Sequence, residues 1–302
     1  MRNILFRADS SSTIGTGHIM RDLVLATQFQ DANLIFAVQD LSGNINHKVK
    51  EAGYQVEIVQ SNALEELLLL IEKYDVSMMV LDHYGLDYAF EKRLKEKSGM
   101  KLFVLDDTYE KHYCDILLNH NIYADVNKYK GLVPDSCEVR CGEKYTLLRD
   151  EFIEAKQFKK ELQGKGAKTI CIAMGGSDIA NLNPRILNVL EKFENVQVDM
   201  VTTTANQNLK ALERFVENKP WVNLHINSNQ IAKLMAQSDL AIVTPSVTMN
   251  EVWYMEIPFI AIKVADNQID MYEFLKKNNY QVLDKFKNKK LKKALKKLLK
   301  EK

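Results

Sequence analysis

Two α/β domains of similar size, each a doubly wound parallel sheet, are what this sequence predicts. Three observations lead there. The chain has 302 residues, enough for two domains with a core each. Short apolar runs alternate with amphipathic helical patterns along most of it, as they do in βαβ units. A polar stretch at 148–168, rich in Lys, Glu and Gln and ending Gly164-Lys165-Gly166, interrupts the alternation and reads as a connector.

In the first half, strand-like runs lie at 4–6, 34–38, 55–59, 77–81 and 101–105, with another around 116–118. Helical patterns at 18–29, 45–52, 63–74 and 88–98 separate them, and Gly53, Gly85 and Gly99 fall where turns are due. In the second half, strands are expected at 169–173, 197–202, 223–226, 240–244, 259–262 and briefly at Val282. The intervening helices are expected at 184–193, 207–217, 230–237, 249–255 and 269–278. The domains are therefore drawn as 1–152 and 153–284, followed by a basic amphipathic tail, 285–302.

That tail holds ten lysines and one glutamate, so against a net charge of +1 the rest of the chain carries −8. Leu291, Ala294, Leu295, Leu298 and Leu299 fall at helical spacing within it. The stripe can pack on the body of the protein, the reading we favour, or the lysines can make a peripheral contact with anionic lipid or nucleic acid. The tail holds a single aromatic residue, Phe286, and no nucleic-acid-binding motif, so no nucleic-acid partner is expected.

The remaining composition, 46% apolar and 27% charged, is that of an ordinary globular protein. The first residues, Met1-Arg2-Asn3-Ile4-Leu5-Phe6, lack the apolar core of a signal peptide, and no run approaches the roughly 20 apolar residues of a membrane span. A cytoplasmic protein with reduced cysteines is expected. Cys114, Cys137, Cys141 and Cys171 are scattered without a matching pair at zinc spacing, so neither a metal nor a cofactor is expected.

Chemistry concentrates at strand ends, where open α/β sheets bind ligands. Gly15-Thr16-Gly17-His18 with Arg21 follows the first strand and opens the first helix. A helix N-terminus offers free N–H groups to phosphate or a developing oxyanion, and imidazole moves protons near neutral pH. The positive end of the helix dipole also disfavours the protonated ring, as a base requires. Taken alone, the motif reads equally as a glycine turn with a surface histidine.

Leu81-Asp82-His83-Tyr84-Gly85 ends another strand on the same side. There Tyr84 can donate to a substrate oxygen, with His83 or Asp82 orienting it. Leu105-Asp106-Asp107 and Asn119-His120-Asn121 end two more; of the adjacent acids at most one is expected to serve the site. His47, His112 and His225 are read as structural or surface residues.

In the second half, Gly175, Gly176 and Ser177 form a loop suited to a diphosphate, though it is neither a Walker loop nor G-x-G-x-x-G. Ser246 and Thr248 can cap a helix or bind phosphate oxygens, and Glu251 can hold a vicinal diol such as a ribose. Thr248 and Glu251 also fit a capping box. Covalent acyl chemistry is not expected, since a Gly-x-Ser-x-Gly elbow is missing.

These motifs in this order resemble the PseG family of UDP-2,4-diacetamido-2,4,6-trideoxy-β-L-altropyranose hydrolases, of pseudaminic acid biosynthesis. The resemblance is carried by Phe6-Arg7-Ala8-Asp9, Gly15-x-Gly17-His18-x-x-Arg21, Leu81-Asp82-His83-Tyr84-Gly85 and Asp115-Ile116-Leu117-Leu118-Asn119. Val139-Arg140-Cys141-Gly142, Leu148-Arg149-x-Glu151-Phe152 and Met174-Gly175-Gly176-Ser177-Asp178 add to it. The second half more broadly resembles MurG-like GT-B glycosyltransferases, through Asp239-Leu240-x-Ile242, Ser246, Glu251, Pro258 and Asn267-Gln268.

The resemblance implies a GT-B architecture, two Rossmann-like domains facing a central cleft. It implies UDP on the C-terminal domain, its diphosphate at Gly175, Gly176, Ser177, Ser246 and Thr248, its ribose at Glu251, with Asn250, Asn267 and Gln268 also binding. It implies that His18 activates a water for inverting attack at C1, with Tyr84 near the reacting sugar and Gly15, Gly17, Arg21, Asp82 and His83 around it. UDP would leave without a metal, and a monomer is expected. A glycosyltransferase on the same fold and a non-catalytic UDP-sugar-binding protein are the rival readings.

Overall fold

The computed structural model describes residues 1–158 and 167–300. The chain divides into two compact units, one ending at Leu147 and one beginning at Leu148. The sequence pattern puts the boundary five residues later, at 152/153. The helix over Asp150–Lys156 thus starts the second unit rather than ending the first. The Gly164-Lys165-Gly166 end of the expected connector lies outside the described residues.

The first unit runs β1 (Arg2–Ala8), α1 (Gly17–Ala26), β2 (Ala32–Val38), α2 (Asn46–Glu51), β3 (Gln55–Ile58) and α3 (Leu64–Lys73). It continues with β4 (Val76–Asp82), α4 (Tyr88–Ser98), β5 (Lys101–Leu105), β6 (Ile116–Asn119) and β7 (Glu138–Cys141). The strands form one sheet in the order β3-β2-β1-β4-β5-β6-β7 with parallel pairings. Their apolar runs are continuous because both faces are covered. Ile4, Phe6 and Ala8 pack with Ile19 and Leu25 of α1 on one face, while Leu5, Met79 and Leu81 pack with Leu67 of α3 and Leu94 of α4 on the other. β7 was not anticipated: it is a four-residue edge strand carrying Glu138 and Arg140, with none of the apolar run that marks its neighbours.

The second unit contains α5 (Asp150–Lys156), β8 (Lys168–Ala173), α6 (Asn183–Leu190), β9 (Val196–Thr202), α7 (Leu209–Val216) and β10 (Val222–Ile226). Then follow α8 (Ile231–Ala236), β11 (Leu240–Val243), α9 (Val247–Tyr254), β12 (Phe259–Ile262), α10 (Ile269–Lys277), β13 (Gln281–Leu283) and α11 (Asn288–Lys300). Its parallel sheet has the order β10-β9-β8-β11-β12-β13. The basic segment is α11. Its Leu291, Ala294 and Leu295 are buried in this unit's core with Ile186 and Leu190 of α6, and its described lysines up to Lys297 are exposed. None of the helices among the described residues is long and apolar enough to cross a membrane.

One buried ion pair in the first unit makes stability depend on pH. His112 Nδ1 donates to Glu91 Oε1 at 2.7 Å, and its Nε2 lies 3.6 Å from Asp106 Oδ1. Burial lowers the His112 pKa, but Asp106 and Glu91 outweigh it and the imidazolium is pushed up to about 9. A folded value raised above the unfolded one gives stability that is fully present below pH 6.5 and lost as pH rises through 9. The unfolding free energy is expected to fall by up to about 3 kcal/mol across that window. His112→Gln should flatten this part of the pH–stability curve; an unchanged slope in urea titrations would contradict the assignment.

Candidate active site

In a doubly wound sheet the strand order reverses at one point, and the loops leaving the two strands there diverge to form a crevice. In the first unit the reversal falls between β1 and β4, and their following segments carry His18 and Asp82-His83-Tyr84. In the second it falls between β8 and β11, followed by the Gly175-Gly176-Ser177 loop and by Thr244 to Thr248.

Between β1 and α1 the chain closes a small loop, with an antiparallel bridge between Ser11 and Gly15. Gly15 has φ +87°, a left-handed conformation that a side chain would strain. Gly17 starts α1, and its N-cap Thr16 makes no side-chain bond to the first turn. His18, Arg21 and Asp22 are spaced i, i+3, i+4 and so share one face of the helix. All three are buried.

This face meets the end of β4. His18 Nδ1 lies 2.7 Å from Asp82 Oδ1. Arg21 Nη2 lies 3.1 Å from the same nitrogen, but the ionised carboxylate is the nearer partner and favours the proton on Nδ1, which in the neutral ring leaves the lone pair on Nε2. Arg21 grips the same carboxylate with both arms, Nε to Oδ2 at 2.6 Å and Nη2 to Oδ1. Burial pushes the Asp82 carboxyl up, but the Arg21 guanidinium and then His18 hold it well below the usual carboxylate range. Arg21 Nη1 donates to Asp107 Oδ2 at 2.9 Å, and the Tyr84 hydroxyl donates to Asp107 Oδ1 at 2.8 Å. The Tyr84 ring stands edge-on to the His18 ring, centroids 4.8 Å apart, and is 51% exposed. Tyr84 is therefore a half-exposed ring beside the imidazole, its hydroxyl held by a carboxylate.

Of the adjacent acids, Asp107 is the one that bonds the neighbours of His18, Arg21 and Tyr84. Asp106 turns the other way, accepting from the Tyr129 hydroxyl at 2.5 Å and from the Thr108 and Tyr109 N–H groups. His83, expected alongside Asp82 as a residue that could orient Tyr84, has partners in a second network. Its Nδ1 accepts from the Gly85 N–H at 2.9 Å, and its Nε2 lies 3.2 Å from Asp9 Oδ2. It belongs to a separate buried network in which Arg7 holds Asp9 through two bonds of 2.7 Å. His120, at the end of β6, is buried with both ring nitrogens unpartnered among the described residues. Burial, then the nearby Arg21 charge, lower its pKa to about 3, so it is a neutral ring.

In the second unit, a Cβ on Gly176 would lie 2.8 Å from the Thr203 side chain, so the loop can pass there only as glycine. The Gly176 carbonyl accepts from the Thr202 and Thr203 hydroxyls and the Thr203 N–H. Ser177 is half-buried. Asp178 closes the start of α6 by accepting from the Leu182 and Asn183 N–H groups, both at 2.9 Å. A carboxylate thus occupies the place where an anion would meet that helix. The start of α9 differs: Ser246 is its N-cap but bonds the Thr244 hydroxyl at 2.9 Å instead of the helix.

The expected Thr248–Glu251 capping box does not form, because the helix begins two residues earlier, at Ser246, and Glu251 falls in its second turn. Glu251 is buried and accepts from Arg149 Nε at 3.1 Å and Nη2 at 2.9 Å, both on Oε1. Burial, only partly offset by Arg149, raises its carboxyl. Arg149 also pairs with Glu151 at 2.6 Å. Asn250 is buried and Thr248 half-buried on the same helix. The Gln268 carbonyl is committed to the Val264 and Ala265 N–H groups, whereas Asn267 is exposed.

No protein-family model matches the chain. In fold it is similar to MurG of Acinetobacter baumannii, with a TM-score of 0.67 at 13% identity, covering 99% of this chain and 91% of that one. It is similar also to Anabaena HepE, solved with UDP and glucose, with a TM-score of 0.63 at 11% identity over 100% and 90% of the two chains. The class of fold is therefore that of the GT-B glycosyltransferases, two parallel-sheet α/β domains. In sequence the chain is 40% identical over 279 residues to the UDP-2,4-diacetamido-2,4,6-trideoxy-β-L-altropyranose hydrolase of Campylobacter jejuni, covering 92% of this chain and 98% of that relative. The chain belongs to that hydrolase family.

Proposed function

We propose that this protein hydrolyses UDP-2,4-diacetamido-2,4,6-trideoxy-β-L-altropyranose to UDP and 2,4-diacetamido-2,4,6-trideoxy-L-altrose. The observation that carries the reading, within a family of such hydrolases, is His18 held through Nδ1 by Asp82 with Nε2 left as a base. His18 Nε2 takes a proton from water as the water oxygen bonds to C1 of the sugar. The bond from C1 to the diphosphate oxygen breaks with inversion, and its electron pair leaves on UDP. Asp82 supports the imidazolium that forms, and Arg21 keeps Asp82 ionised.

The Tyr84 hydroxyl, steered by Asp107, positions a sugar oxygen beside His18. Gly15 and Gly17 give the sugar close approach to the backbone at the start of α1. The second unit holds UDP. Its diphosphate lies at the Gly175, Gly176 and Ser177 amides and at the open start of α9, by Ser246 and Thr248, rather than at the start of α6, which Asp178 fills. Glu251, pinned on one oxygen by Arg149, takes the ribose, with Asn250 and Asn267 beside the nucleotide. The departing diphosphate is stabilised by these N–H groups, so no metal takes part in the scheme. The protein acts as a cytoplasmic monomer.

Supplying the UDP-sugar with no acceptor tests this. UDP is expected to appear in step with the free sugar, well above the rate without protein. Release of UDP only after a sugar alcohol is added would instead make the protein a glycosyltransferase.

A further inference from the structure

Asp22 has no place in the scheme above, yet it lies one turn of α1 beyond His18 and next to Arg21. It is 0% exposed, and neither carboxyl oxygen receives an N–H or O–H donor among the described residues. An ionised carboxylate with no donor in such a place costs several kcal/mol and takes up a proton instead. The charged groups that act on it are Arg21 from its own helix and Asp82 from the end of β4, and His18 lies one turn earlier on the same helix. Burial first, then the negative charge of Asp82, raise the Asp22 carboxyl well above its usual range despite Arg21. Two carboxyls so close share one proton, and it rests on Asp22 because Asp82 alone is gripped by Arg21.

We propose that Asp22 is a positioning residue that stays protonated at neutral pH and donates its O–H to Asp82, the carboxylate that holds His18. This rests on the role given to His18 under the proposed function. Asp82 then receives donors from Arg21, His18 and Asp22, which spread its charge and fix its plane. A single negative charge stands behind the imidazole. Were Asp22 ionised, a second one would favour the imidazolium and remove the base at neutral pH.

Two variants separate this from a merely structural role. Asp22→Asn keeps size and an N–H donor and carries no charge. Its kcat and the acid limb of its pH profile are expected to match the wild type. Asp22→Leu removes the donor: kcat should fall roughly tenfold, the worth of one hydrogen bond to a charged group, and the acid limb should move to higher pH. An acid limb moving to lower pH in Asp22→Asn is the sign of a lost negative charge and overturns the proposal. So does equal loss of activity in both folded variants.

A readout independent of turnover keeps this distinct from failure of the hydrolase reading. With carboxyl-¹³C aspartate, the resonance missing from Asp22→Asn should sit at the protonated position at neutral pH. Finding it at the ionised position at neutral pH overturns the proposal even if the protein is a hydrolase. Finding it protonated sustains the assignment of the proton even if His18 serves another reaction.

Discussion

Replacing His18 with alanine is expected to lower kcat by roughly 10²–10⁴-fold, the usual worth of a positioned general base. UDP affinity should be unchanged, because every residue assigned to the nucleotide lies in the second unit. Thermal stability should change little: Asp82 keeps both bonds from Arg21, so no buried charge is stranded. The informative result is the pattern, with kcat falling and product affinity constant. A variant that turns over at the wild-type rate would remove His18 from the mechanism. Parallel loss of UDP binding would move His18 from the reacting water to the nucleotide.

Asp82→Asn is expected to have an effect of similar size on catalysis and a second one on folding. The amide can present an N–H to His18 and so favour the tautomer with its lone pair on Nδ1, which leaves Nε2 protonated and useless as a base. The analogous change in a Ser-His-Asp triad lowers kcat about 10⁴-fold, and a loss of roughly 10²–10⁴-fold is expected here. Unlike the histidine variant, this one also takes a charge from beneath Arg21, a 4% exposed guanidinium then left to Asp107. Breaking one side of a buried ion pair costs about 3–5 kcal/mol. Kinetics and thermal unfolding should therefore both respond to Asp82→Asn, whereas only kinetics respond to His18→Ala. Unimpaired turnover in Asp82→Asn would show that the tautomer is not held by this carboxylate.

Much of the fold was legible because strands buried on both faces leave near-continuous apolar runs; the expected strands at 101–105 and 259–262 coincide with β5 and β12. β7 escaped because its four residues, Glu-Val-Arg-Cys, lie at a sheet edge where one side needs no cover. Residues at strand ends were legible as a class: His18, Asp82 and Tyr84 meet where the strand order reverses.

What sequence could not supply is the direction in which each side chain turns. Asp106 and Asp107 are neighbours with opposite partners, and His83 and Tyr84 likewise. Glu251 is met by Arg149 from 102 residues away, a pairing no local pattern encodes. Asp178 is the clearest case: in sequence it completes a phosphate-like loop, and in the structure its carboxylate fills the helix end that a phosphate would use. Asp22 did leave a trace, as an acid on the buried stripe of α1 with Ile19 and Leu25. Only burial without donors gives that trace meaning.

In the proposed reaction water, activated by His18, attacks the sugar carbon and UDP leaves intact. Running the acceptor-free reaction in ¹⁸O-water and locating the label tests it most directly. ¹⁸O is expected on C1 of the released sugar, with α/β inversion in the first-formed anomer and unlabelled UDP. Label in the terminal phosphate of UDP would mean attack at phosphorus, and would contradict it.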